Sequence, residues 1–496
     1  MRDRDHYEGT HGAIPQCLMK TIFEKSVSGR IGCKLPKPLS AESELNEGQV
    51  RGTLDLPEVS ELDVVRHYTA LSKRSFGVDD GFYPLGSCTM KYNPRINEAM
   101  AALPEFSQFH PWQDDEDSQG SLELIYHTQE YLTEATGFPG LTLQPAAGAH
   151  GELTAVMMMK AYHLDRGDMK RRKMIIPDSA HGTNPATATM CGFDTVEVAS
   201  DAVGGVDLEK LKALIDDETV GMMLTIPNTL GLFDKNILEI SKLLHAKGAL
   251  LYMDGANLNA ILGVVKPAKM GVDIMHINLH KTFSTPHGGG GPGGGFVGCT
   301  QELSPFLPAQ RIVKEGERYR LDFNNPKSIG RVRAFYSNFG VVVRAYTYML
   351  RLGREGTKRI GRYAVLNANY IKARLKDFYH VPFMQHCMHE VVFNDEKQAQ
   401  YHVTTMDIAK RLIDFGYHPP TVYFPLIVHG SLMVEPTETE SKETLDEFVD
   451  TMIKISEEAK LTPDLLLRAP HSAAVKRVDS VKAARNPVVV CTTCCT

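Results

Sequence analysis

A chain of 496 residues is too long for one hydrophobic core, so it must divide into two or more compact parts. Its 43% apolar and 23% charged residues are ordinary for a globular protein, and a net charge of −6 argues against nucleic acid or an anionic membrane as the partner. No run of about 18 apolar residues offers a membrane-spanning helix, and the start at Met1–Glu8 lacks the apolar core of a secretory leader, so the expected compartment is cytoplasmic.

Residues 1–75 are rich in turn formers, and Pro36, Pro38 and Pro57 interrupt any long helix. The segment reads as an extended N-terminal arm. Leu62, Val64, Val65, Tyr68 and Leu71, at roughly helical spacing, predict one short helix within it. From residue 76 to about 345, apolar strands alternate with amphipathic helices, the pattern of a large α/β domain with a mostly parallel sheet.

Leu141–Gln144 predicts a strand, and the small residues Ala147, Gly148 and Ala149 then open a helix running through Met157 to Tyr162. A helix N-terminus presents unpaired N–H groups and the positive end of the dipole, which suits a phosphate. Lys173–Pro177 is the next strand, followed by Ser179-Ala180-His181-Gly182. Gly221–Ile226 is another, leading to Asn228 and Thr229. Ala249–Met253 is a short apolar run that ends in Asp254, with Ala256 two residues on. Val272–Asn278 predicts the strand ahead of His280, Lys281 and Thr282. Gly288 to Gly295 is all glycine except Pro292 and reads as a wall that lets backbone approach a ligand closely. No Gly-x-Ser-x-Gly elbow or P-loop accompanies it.

An apolar helix over Val341–Leu352 passes to a smaller C-terminal α+β domain, residues 346–480. Its expected strands lie near Glu390–Phe393 and Leu432–Val434, and its helices at Thr405–Phe415 and Ser441–Glu458. Of the nine cysteines, Cys491, Cys494 and Cys495 crowd the end. With no second pair at metal spacing, residues 481–496 read as a flexible tail, and no metal is expected there or at His386–His389.

Asp254 and Lys281, each beyond a strand end of one sheet, suit pyridoxal 5'-phosphate. The lysine forms a Schiff base, and the carboxylate keeps the pyridine nitrogen protonated so that the ring takes up electrons. The other strand ends then acquire roles: Ala147, Gly148 and Ala149 for the phosphate, Asn228 or Thr229 at the cofactor's 3′-oxygen, and, by resemblance to pyridoxal enzymes of this fold, in which an aromatic residue or His ends this strand, His181 stacked on the ring. Ala256 and His280 complete the expected surroundings.

The run from Asn278 to Gly293 resembles the lysine motif of the glycine dehydrogenase (decarboxylating) family, the P-protein of the glycine cleavage system. Pro84–Lys91, Gly330–Tyr336 and Glu435–Lys442 match the same family. The length resembles subunit 2 of the two-subunit form. The resemblance implies an aminotransferase-like, fold type I enzyme that decarboxylates glycine and passes the aminomethyl group to the lipoyl arm of H-protein. It also implies a heterotetramer with a homologous subunit 1, and makes Ser87, Cys88 and Thr89 neighbours of the site. The rival enzyme reading is another pyridoxal phosphate lyase or a cysteine desulfurase, which would need a mobile cysteine. A catalytically silent partner subunit is the non-enzymatic rival, against which the intact Asp254 and Lys281 speak.

Overall fold

The computed structural model describes residues 20–34, 36, 47–49, 52, 54, 56–110, 113–287, 293–473 and 475–487. Most of the glycine run and the three terminal cysteines lie outside them. The chain divides into two compact units, residues 81–468 and residues 1–80 with 469–496.

The larger unit is built on a seven-stranded sheet, β1 (Gly140–Thr142), β2 (Lys173–Pro177), β3 (Asp194–Val198), β4 (Thr219–Thr225), β5 (Leu250–Asp254), β6 (Ile274–Asn278) and β7 (Gly295–Cys299). The spatial order is β1-β7-β6-β5-β4-β2-β3. Only β7 runs against its neighbours, so the sheet is mostly parallel, as expected. Every residue of β5, β6 and β7 is buried, because helices cover both faces of a parallel sheet. Strand β3 lies at the edge, where Asp194, Thr195 and Glu197 face water.

Past the sheet comes a hairpin, β8 (Arg311–Glu315) and β9 (Arg318–Asp322), turned at Gly316 with φ 61°. The segment Phe339–Leu375 is two helices that meet at a kink at Gly353 (φ 57°, ψ −170°), and the first of them is the helix expected over Val341–Leu352. The first packs into the core beneath the large sheet through Val342, Ala345 and Met349. The second supplies Ala368, Ile371 and Leu375 to a second core. That core lies under a three-stranded antiparallel sheet of β10 (Val391–Asn394), β11 (Thr421–Val422) and β12 (Ser431–Val434), ordered β10-β12-β11. Helices Thr405–Asp414 and Lys442–Leu461 pack on it, the first opened by a capping box of Thr404 and Asp407.

In the smaller unit, helix Glu61–Ser72 starts at Ser60, whose hydroxyl accepts from the Asp63 N–H. Leu54, Leu56, Leu62, Val65 and Tyr68 of this unit are exposed.

Candidate active site

The register of the large sheet sets the geometry of the site. Thr225 pairs with Asp254, and Asp254 with His276, so three polar side chains stand in one row across β4, β5 and β6. Around this row lies a cavity of about 240 Å³, whose walls include Lys281, His181, Gly148, Ala149, Asn278 and Glu390.

Asp254 is the most elaborately held of these groups. Its Oδ1 accepts the Ala256 N–H at 3.0 Å and lies 3.6 Å from His276 Nε2, while Oδ2 accepts from Asn184 Nδ2 at 3.1 Å. Burial works against its charge, but His276, the Ala256 N–H, Asn184 and Lys281 together outweigh it and hold the carboxyl below its ordinary value. His276 in turn bonds the Tyr252 hydroxyl through Nδ1, and burial pushes its ring down while the charge of Asp254 pulls it up.

The same Asn184 amide also donates to Glu152 Oε1 at 2.6 Å. Burial, and then the charge of Asp254, push Glu152 up to about 8. Of two adjacent buried acids, one is therefore ionised and the other carries a proton at neutral pH.

Lys281 sits on the short helix Leu279–Thr282 that follows β6, and its Nζ donates to the Ser87 carbonyl at 2.7 Å. Behind it, Lys91 is almost wholly buried. Lys91 Nζ donates to the Thr282 carbonyl at 2.7 Å and pairs with Glu438 at 2.7 Å, so it ties down the turn that carries Lys281.

Ala147 caps helix Gly148–Asp165 with no side-chain bond of its own. The N–H groups of Gly148 and Ala149 therefore open the helix at the cavity wall. A Cβ on Gly148 would come within 2.0 Å of Asn278 Oδ1, so only glycine fits there. Two cavity-lining oxygens, Asn278 Oδ1 and Thr225 Oγ1, are buried with no partner within the protein. A glycine-lined helix start, orphaned polar oxygens and an ionised aspartate opposite a lysine fit a phosphorylated pyridinium aldehyde.

Of the residues expected from sequence, Lys281, Asp254, Ala256, His181, Gly148, Ala149, Asn228 and Thr229 all line the cavity, whereas Ala147 and His280 do not. His280 instead accepts the Gly294 N–H and packs edge-on against His287, where burial and that neighbour push it down to about 3. Asn228 and Thr229 have their polar atoms engaged by the backbone. Asn228 accepts from Leu230 and Leu232 and donates to Gly204, and the Thr229 hydroxyl donates to Ser179. Thr225, one step back on β4, is the group left facing the cavity with a hydroxyl to offer. His181 keeps an open face and meets Phe424 edge-on at 5.4 Å.

Sequence reasoning missed Glu152, Asn184, His276 and the pair Glu390 and Glu435. The alternation of His276 and Asn278 within an otherwise apolar strand was a usable signal, since such residues share one face. His389, Glu390 and Glu435 bring possible ligand atoms within 4.8 Å of one another. Glu435, however, is already bonded by Thr89 and Asn257, which suits a hydrogen-bond network and not metal ligation.

Comparison with known proteins bears on the fold and the family. Residues 148–291 match the aminotransferase class-V family, and residues 360–470 the glycine dehydrogenase C-terminal domain. A relative from Caldanaerobacter subterraneus subsp. tengcongensis, named as a probable glycine dehydrogenase (decarboxylating) subunit 2, is 56% identical over 94% of this chain and 98% of its own. The solved glycine decarboxylase (P-protein) of the glycine cleavage system, in inhibitor-bound form, superposes with a TM-score of 0.69 at 19% identity, covering 83% of this chain and 93% of that one. A cysteine desulfurase from Thermococcus onnurineus NA1 gives a TM-score of 0.59 at 16% identity over 76% and 95% of the two chains. Both share the fold.

Proposed function

Because the chain belongs to the glycine dehydrogenase (decarboxylating) subunit 2 family, we propose that it decarboxylates glycine and hands the aminomethyl group to the lipoyl arm of an H-protein. Its cofactor is pyridoxal 5'-phosphate, which supplies the electron sink for the pair left when carbon dioxide departs.

The observation that carries the reading is the convergence of Lys281, the Asp254 row and the start of helix Gly148–Asp165 on one cavity. Lys281 would hold the cofactor, and the N–H groups of Gly148 and Ala149 its phosphate. His181 would cover the ring face, and Asp254 would hold a proton at the ring nitrogen. The protonated Glu152 beside Asp254 adds no second negative charge there, so the aspartate acts on the ring alone. Thr225 is a better donor toward the 3′-oxygen than Asn228 or Thr229, whose polar atoms are engaged elsewhere. A desulfurase reading finds less support. Cys88, the cysteine near Lys281, is raised by burial, which makes it a poor nucleophile.

We also place the chain in the cytoplasm, in a heterotetramer with a homologous subunit 1. No helix among the described residues is long and apolar enough to cross a membrane. The exposed Leu54, Leu56, Leu62, Val65 and Tyr68 of the arm supply apolar surface for such a partner. The test is release of carbon dioxide from carboxyl-labelled glycine, assayed with lipoylated H-protein on the chain alone and after adding subunit 1. Release that needs both supports the reading. Sulfide from cysteine with no carbon dioxide from glycine overturns it.

A further inference from the structure

A second pair of buried acids includes one member of the cavity wall. The β10–β12 ladder aligns Val391 with Val434, so Glu390 and Glu435 face each other one step beyond. Both are buried, and Glu390 also lines the cavity that Lys281 enters. Three donors converge on Glu435: the Thr89 N–H at 3.0 Å, the Thr89 hydroxyl at 2.6 Å and Asn257 Nδ2 at 2.6 Å. That is the arrangement a carboxylate takes.

Glu390 is held differently. Its Oε2 accepts one N–H, that of Ser87, at 2.9 Å. Its Oε1 lies 3.8 Å from His389 Nε2, beyond hydrogen-bond reach. The titratable groups facing it are Glu435, His389, Lys281, Cys88 and Cys387. Burial, and then the charge of Glu435, raise Glu390 well above the ordinary carboxyl range. The Ser87 residue whose N–H it accepts gives its carbonyl to Lys281 Nζ, so a single residue, Ser87, links the acid to the reacting end of the lysine.

We propose that Glu390 is the general acid of the aminomethyl transfer, and that Glu435, fixed by Thr89 and Asn257, is its positioning partner. The inference rests on the function proposed above. When glycine loses carbon dioxide, the electron pair of the broken C–C bond forms a bond from the remaining carbon to one sulfur of the acceptor disulfide. The S–S bond breaks, and the second sulfur leaves with its pair and needs a proton. The Glu390 O–H bond breaks as that S–H bond forms. The proton that the glycine ammonium gives up restores Glu390, so no external acid is consumed. Of the other titratable groups on the cavity wall, Lys281, Asp254 and His181 are assigned to the cofactor, Glu152 and His276 stand against Asp254, and burial lowers His389, which disfavours its protonated, donating form.

Two measurements test this on the chain assembled with subunit 1. In E390Q, which still accepts the Ser87 N–H, aminomethyl transfer to lipoylated H-protein should fall about 100-fold or more, while the glycine-induced spectral change of the cofactor stays. E390D should recover part of the rate. Independently of activity, infrared titration of the cofactor-free chain should show, in the wild-type minus E390Q difference, a protonated carboxyl band at neutral pH additional to the one that Glu152 contributes. In E435Q the midpoint of that band should shift to lower pH. A wild-type transfer rate in E390Q, or an infrared band unchanged by it, overturns the assignment. Should wild-type chain show the band but release no carbon dioxide from glycine, the proposed function fails while the protonated Glu390 stands, and its role as acid in this reaction falls with that function.

Discussion

Replacing Lys91 by methionine removes a cation from a place where its partner cannot reach water. The side chains of Lys91 and Glu438 are 1% and 8% exposed, and 2.7 Å separates them. Removing one member of such a pair leaves a buried charge uncompensated, at a cost of about 3–5 kcal/mol. Tyr348 and Asn259 still donate to Glu438, at 3.1 and 3.4 Å, which places the expected loss toward the lower figure. With an unfolding entropy of about 2.1 cal/mol/K per residue over a unit of roughly 390 residues, 3 kcal/mol corresponds to about 4 °C in melting temperature. The double variant K91M/E438Q, which removes the stranded charge as well, should regain more than half of that loss. Differential scanning calorimetry of the wild type, both single variants and the double variant reads all four corners of the cycle. If K91M melts with the wild type, or E438Q gives no rescue, the pair does not anchor the turn bearing Lys281 as argued.

Lys281→Ala should abolish the borohydride-reducible adduct between pyridoxal phosphate and the chain, and reduction at another lysine would refute the assignment. Asp254→Asn should lower turnover by about 10²–10³-fold, by analogy with a lost electrostatic stabiliser, with a smaller loss of cofactor affinity measured by equilibrium dialysis. Glu152 carries a folded-state value of about 8 against an ordinary 4.5. Its stabilising contribution is therefore full below about 4.5 and lost as pH rises toward about 8. Relative to E152Q, the cofactor-free wild type should lose up to about 1.4 kcal/mol per pH unit across that window in urea titrations. A constant difference between the two would refute the burial argument.

The strands that build the site were legible because a parallel strand covered on both faces reads as an apolar run ending in a polar residue. Leu250–Asp254 shows this most plainly. Strand β3 escaped notice because an edge position exposes Asp194, Thr195 and Glu197 and erases the run. The β8–β9 hairpin gave no apolar run because Arg311, Arg318 and Arg320 alternate with the buried Ile312 and Tyr319, although the Gly316 turn marks it. The acid pairs were hidden for a different reason. Glu152 meets Asp254, and Glu390 meets Glu435, only through tertiary approach, and no local pattern encodes which of two distant carboxyls keeps its proton.

The kink at Gly353 joins two helices that belong to two separately packed cores. Its φ of 57° with ψ near −170° is a shape open to glycine and strained for a side chain, and the space around it is empty. The acids at Glu390 and Glu435 ride with the core on one side of the kink, and Lys281 and Asp254 with the core on the other. The kink therefore acts on the cleft between them together with the Asn257–Glu435 and Lys91–Glu438 contacts that cross it. The fit of acid to lysine is a property of that elbow as much as of the residues that touch.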